Sequence, residues 1–199
     1  FPDEDLIISA GNFHGQPMAL TFDYLKMAIS ELANVSERRT ERLVNPALSE
    51  GLPAFLTKDG GVCSGFMIAQ YAAASMASEN KVYDHPACVD SIPSSANQED
   101  HVSMGTTSAR TAAMVLDNAQ KVIGIELAAA AQGIWLRQEM GENGIDNLAP
   151  ATKAAYDYIR TVSAPIEDDV IMHDELVKFD EMIKDGSFLE AVEKVVDFK

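Results

Sequence analysis

Apolar residues recur in a heptad-like rhythm just after Pro17: Met18, Phe22, Leu25, Ile29 and Leu32 follow one another at steps of four, three, four and three. That spacing puts all five on one face of an α-helix. Pro17 suits a first helical turn, where its missing N–H costs no bond. Glu37, Arg38, Arg39, Glu41 and Arg42 continue the helix as a charged end, closed near Asn45-Pro46. A second helix is predicted from Phe66 to about Lys81, with Ser64 as its N-cap and an Ala72-Ala73-Ala74 run that lets neighbours approach. The longest pattern runs from about Glu99 to about Met140, about 60 Å at the α-helical rise. Its middle is apolar on most sides, from Met114 to Ala131, which predicts a helix buried among others. Gly141, Gly144 and Pro150 end it, and amphipathic helices follow over 151–163, 169–184 and 187–197. Between the first three helices lie loops marked by Gly51, Pro53, Asp59-Gly60-Gly61, His85-Pro86 and Pro93.

This is an all-α pattern, and the composition agrees. Hydrophobic residues make up 47% of the 199 and aromatics only 7%, a balance that favours helices over sheets. The net charge of −16 argues against nucleic acid and anionic membrane surfaces as partners. Much of the excess falls at Glu167, Asp168, Asp169, Asp174, Glu175, Asp180, Glu181 and Asp185, read here as a solvated acidic face. Cys63 and Cys88 are too few for a disulfide framework and fit reduced thiols in the cytoplasm. No apolar run reaches the ~20 residues that span a bilayer. The chain opens on Phe1 rather than Met, as a fragment or a processed product would.

Candidate chemistry is confined to two polar clusters. No Ser-His-Asp arrangement can be read from spacing, and His14, His85, His101 and His173 are too dispersed for a metal site. The first cluster is Gly11-Asn12-Phe13-His14-Gly15, where Phe13 is either a packing plug or an open aromatic platform. The second is Ser94-Ser95-Ala96-Asn97-Gln98-Glu99-Asp100-His101, at the mouth of the longest helix. There Asn97 would be a good N-cap, and Glu99 and Asp100 in a first turn would gain ~0.3–1 kcal/mol each from the helix dipole. That bland reading stands beside a functional one.

Residues 8–15, Ile-Ser-Ala-Gly-Asn-Phe-His-Gly, resemble the Gly-Asn-Phe-His motif of the aromatic amino-acid ammonia-lyases. Further similar strings follow in the family's order: Pro53-Ala54-Phe55-Leu56, Gly60-Gly61, Ser64-Gly65-Phe66-Met67-Ile68-Ala69-Gln70, Ser78-Glu79-Asn80-Lys81, Val89-Asp90-Ser91-Ile92-Pro93 and Ser95 to Met104. The resemblance covers about residues 8–140, while the tail from 150 is similar only in being helical and acidic. It implies the C-terminal part of a long-helix bundle of the fumarase/aspartase-like type, assembled as a homotetramer whose active sites draw on three chains. Residues 1–148 would belong to the central bundle with its active-site loops, and 149–199 to a C-terminal acidic helical segment. The activity implied is elimination of ammonia from an aromatic amino acid at a methylidene-imidazolone (MIO) electrophile, formed from an internal Ala-Ser-Gly, with a tyrosine as base.

No Ala-Ser-Gly occurs in this chain. Cys63-Ser64-Gly65 looks alike but occupies a different family position, with Cys63 where Asn is usual. The electrophile and the tyrosine base would therefore come from an N-terminal part of the same protein, and this chain alone would be inactive. Two positions carry over as catalytic and substrate-binding: Phe13, beside the electrophile and the substrate ring, and Glu99, against the substrate's side chain. Asn12, His14 and Gln98 would support them. A carboxylate at position 99 suits an imidazole N–H, whereas relatives acting on phenylalanine carry Gln there. The implied substrate is L-histidine, with urocanate as product. Tyrosine or phenylalanine lyases or aminomutases, and a non-catalytic helical scaffold, are the other readings.

Overall fold

A computed structural model describes residues 1–9, 11, 13–142 and 144–197. Among them there is no strand, and six α-helices account for most of the chain: α1 Gln16–Val44, α2 Met67–Tyr83, α3 Gly105–Glu139, α4 Pro150–Val162, α5 Met172–Lys184 and α6 Ser187–Glu193. At 29 residues α1 is about 43 Å long, and at 35 residues α3 is about 52 Å. The two run parallel along most of their lengths. Lys26 reaches Thr111, Ser36 reaches Glu126, and Leu43 lies beside Gly133. Helix α2 returns antiparallel across both, with Gln70 on Glu37 near its start and Asn80 on Asn118 near its end.

The heptad stripe of α1 does not enter this core. Met18, Leu25 and Leu32 are exposed, and the face turned to α3 carries Ala19, Asp23, Lys26, Ala33, Ser36, Glu37, Thr40 and Val44. Polar groups survive burial there because they satisfy one another. Ser36 and Arg39 both bond Glu126, and Glu37 accepts from Arg38 and Gln70. The apolar core lies further along, where Val44, Leu52, Leu56 and Phe66 meet Val122, Ile125, Leu136, Ile159 and Phe179. Each side chain as large as Phe66 or Leu56 contributes roughly 1.5–3 kcal/mol by leaving water.

Several boundaries depart from the sequence expectation. Ser64 does not cap α2: Gly65 stands between it and the helix with φ +51°, packed so tightly that a Cβ would strike the Phe55 carbonyl. The Phe66 N–H donates to that same carbonyl at 2.9 Å. Residues 169–171 are not helical, because Asp169 is engaged elsewhere. Its two carboxylate oxygens accept the N–H groups of Ser64 and Gly65 at 2.8 and 2.9 Å, which holds it below the ordinary carboxylate range. Nearby, buried Gln132 of α3 donates to the Ile166 carbonyl at 2.7 Å and accepts its N–H at 3.1 Å. The acidic run is thus more than a solvated face. Asp169 straps the tail down, Glu175 bonds Ser163 and Lys178, and Asp180 pairs with Lys184.

Candidate active site

The two polar clusters meet at one end of the α1–α3 pair. Gly15, just before α1, lies against the segment leading into α3: a Cβ on Gly15 would stand 2.8 Å from the Ser103 hydroxyl, and one on Gly105 would stand 3.3 Å from the Gly15 carbonyl. Two glycines make room for that close approach. It brings the rings of His14 and His101 to 5.5 Å between centroids. Phe13 projects from the same loop with 82% of its surface exposed, so among the described residues it plugs nothing and offers an open aromatic face. Asn12 lies outside the described residues.

The helix expected from Glu99 begins only at Gly105, after Met104, and no acidic residue stands in its first turn. The capping reading of Asn97, Glu99 and Asp100 is therefore overturned. Their backbone is otherwise committed. Ser95, Ala96 and Asn97 adopt φ of +51°, +54° and +69°, a left-handed turn of three L-residues. Such a turn costs roughly 1–2 kcal/mol per residue and persists where its surroundings over-determine it, commonly at functional sites. Ser94 and Glu99 exchange backbone bonds around it, at 3.0 and 3.3 Å, and the Val102 N–H donates to the Ser91 hydroxyl at 2.9 Å. Residues 91–102 thus form a loop closed twice at its neck, with exposed Gln98 and half-buried Glu99 at the end of the left-handed turn. Among the described residues no donor or cation reaches the Glu99 carboxylate.

Beneath the neck lies a group that the sequence reading missed. Asp23 and Lys26, both on the buried face of α1, pair at 2.7 Å with side chains 2% and 0% exposed. Lys26 also donates to the His85 carbonyl at 3.0 Å and to the Thr111 hydroxyl at 3.1 Å. Asp23 accepts the Cys88 N–H at 2.7 Å, and Gln16 donates to the Cys88 carbonyl at 2.7 Å. Burial works to raise the Asp23 pKa, but the Lys26 ammonium and the Cys88 groups outweigh it and bring it down to about 2. The same carboxylate pushes the Cys88 thiol upward. The only advance signal was the i, i+3 spacing of Asp23 and Lys26, which reads equally well as an exposed surface pair. A groove of about 520 Å³ between Arg39, Arg42, Leu48, Ile134 and Arg137 lies at the opposite end of α1 and takes no part in this site.

Comparison with known proteins places these loops in context. Residues 1–161 match the family described as aromatic amino acid lyase. The chain is 58% identical over 196 residues to a histidine ammonia-lyase of Alkaliphilus metalliredigens, covering 98% of this chain and 37% of that protein. Among solved structures it resembles histidine ammonia-lyase from Trypanosoma cruzi, with a TM-score of 0.88 and 44% identity over 100% of this chain and 38% of the other. It also resembles tyrosine aminomutase from Streptomyces globisporus, with a TM-score of 0.90 and 36% identity over 100% and 37%. The chain thus spans a little over a third of the length of the relatives it matches.

Proposed function

The chain belongs to the aromatic amino acid lyase family, and from that premise we propose that it forms the C-terminal part of a histidine ammonia-lyase, carrying two of the residues that meet the substrate. The observation that carries this reading is Glu99: a half-buried carboxylate at the end of a strained turn, with no partner among the described residues, on a loop that meets the loop of exposed Phe13 through His14 and His101. Glu99 accepts an N–H from the substrate imidazole, and the bond strengthens with any positive charge on that ring. Phe13 presents a flat apolar face to the substrate and the electrophile. Asn12, His14 and Gln98 support these two from the flanks.

The MIO group, made from an Ala-Ser-Gly that this chain lacks, supplies the electron sink for loss of ammonia. The open, uncharged face of Phe13, on a loop anchored at Gly15, fits a planar partner of that kind. Residues 1–148 serve as part of the central bundle and 149–199 as its acidic C-terminal cover, within a cytoplasmic homotetramer that includes the N-terminal part of the same protein. No helix among the described residues is long and apolar enough to cross a membrane.

Glu99→Gln in the full-length lyase tests the assignment. Loss of a charge-assisted hydrogen bond of about 1.5–3 kcal/mol lowers kcat/KM for histidine about ten- to 150-fold. Activity within about threefold of the parent rejects Glu99 as the imidazole's partner. A second reading, a tyrosine aminomutase, is favoured by the likeness to the Streptomyces enzyme. Release of a β-amino acid from tyrosine, in place of urocanate from histidine, would select it.

A further inference from the structure

The loop that carries Glu99 makes few apolar contacts of its own. Ile92 is 60% and Val89 76% exposed, and Ser94 to Gln98 are exposed throughout. Something other than hydrophobic burial must fix where it stands. Two backbone groups just before its neck are held by full charges on α1. The Lys26 ammonium holds the His85 carbonyl, and the Asp23 carboxylate holds the Cys88 N–H. Charge-assisted bonds of this kind are shorter and about twice as strong as neutral ones. From Cys88 the chain needs three residues to reach Ser91, whose hydroxyl closes the neck at Val102. Gln16, one residue after Gly15, grips the same Cys88 from the side that carries Phe13.

We propose that the buried Asp23–Lys26 pair is the positioning element of this site, tying the 84–104 loop to the start of α1 and so setting Glu99 in register with Phe13. The proposal rests on Glu99 being the residue that meets the substrate. Neither Asp23 nor Lys26 touches the substrate. They act through the backbone at His85 and Cys88, and Lys26 locks α3 into the same arrangement through Thr111. A buried ion pair is a poor source of net stability compared with apolar residues of similar volume. What it supplies is direction: one cation and one anion, each aimed at a single backbone group of the loop.

The test is a double-mutant cycle in the full-length lyase. Two alterations are each combined with Glu99→Gln: the paired neutralisation Asp23→Asn/Lys26→Met, and the milder Gln16→Ala, which spares the ion pair should the first fail to fold. Misplacing a binding group by about 1 Å can cost about 100-fold. The expected loss in kcat/KM for histidine is therefore about ten- to 100-fold for the neutralised pair and smaller for Gln16→Ala. In the Glu99→Gln background each loss should shrink to within about threefold, because the group being positioned has already lost its charge. Hydrogen–deuterium exchange on the same proteins should rise in residues 84–104 and stay near parent levels in α2 and the second half of α3. Equal losses in both backgrounds, no loss in either, or exchange rising throughout the bundle would each overturn the proposal. Should the parent itself fail to act on histidine, the functional reading fails, and the exchange pattern alone decides whether the pair holds the loop.

Discussion

Helix α1 has two faces that contradict ordinary expectation, and the contrast explains more than either alone. The face turned into the bundle is polar, with Asp23, Lys26, Ser36, Glu37 and Thr40 all buried against α3 and the loops. The neighbouring face carries the regular apolar rhythm, yet Met18, Leu25 and Leu32 stand exposed and Phe22 and Ile29 are only half-buried. A helix that buried only to lower its free energy in water would be rotated to bring that stripe inward. The polar face is tolerated because its groups are paired and hydrogen-bonded, and they serve direction: Lys26 and Asp23 aim at loop backbone, while Ser36 and Arg39 reach Glu126. Among the described residues Met18, Leu25 and Leu32 of the apolar face have no comparable partner. Contiguous exposed patches of that kind mark surfaces covered in an assembly, in keeping with the homotetramer proposed above.

The largest effect should follow from breaking the polar face one-sidedly. Lys26→Met leaves the Asp23 carboxylate buried without its cation, and about 3–5 kcal/mol of stability should be lost. Urea denaturation reads this directly, and a loss under about 1 kcal/mol would mean that the pair is solvated and the face is not truly buried.

The next effect is set by pH. Asp23 stands at about 2 in the folded chain against an ordinary 3.8, so its folded pKa is depressed. Its contribution is fully present above about pH 4 and is lost as pH falls towards 2. Between about pH 5 and about pH 2.5 the parent should lose about 1.5 kcal/mol more stability than Asp23→Asn does. Parallel declines in the two proteins would place Asp23 in an unperturbed setting.

On the apolar face the expected change in fold stability is the smallest. Leu25→Glu and Leu32→Glu, exposed within the chain, should shift stability by no more than about 0.5 kcal/mol. Association should nevertheless weaken markedly, as sedimentation at micromolar concentration would show. Large destabilisation without a change in assembly would mean that this face packs inside the chain after all.

Helix placement was legible from sequence wherever periodicity and breakers coincided. Pro17 and Asn45-Pro46 bracket α1, and Pro150 opens α4, because proline and apolar spacing act locally. The start of α3 was not legible. Asn97, Glu99 and Asp100 have the chemistry of a helix N-terminus, yet the chain spends them in a left-handed turn closed by Ser94 and Ser91. A local preference of ~0.3–1 kcal/mol per residue gives way to the loop's own closure, by the Ser94–Glu99 backbone bonds and the Val102 N–H on the Ser91 hydroxyl. The tail was misread in the same way, since nothing near Asp169 in sequence announces that it will bind two N–H groups of the distant Ser64-Gly65 turn.

By itself the sequence determined the all-helical class, the two chemically suggestive loops and the family motifs, each of which depends on residues close together along the chain. Only the tertiary structure decided that Phe13 and Glu99 belong to neighbouring loops, that Glu99 is free of the helix cap, and which face of α1 is buried. The physical reason is the range of the forces involved. Propensity and periodicity act over a few residues and leave their mark in the string. Burial of an ion pair, or an N–H held by a carboxylate from another helix, depends on what the fold brings near, and no spacing along the chain records it.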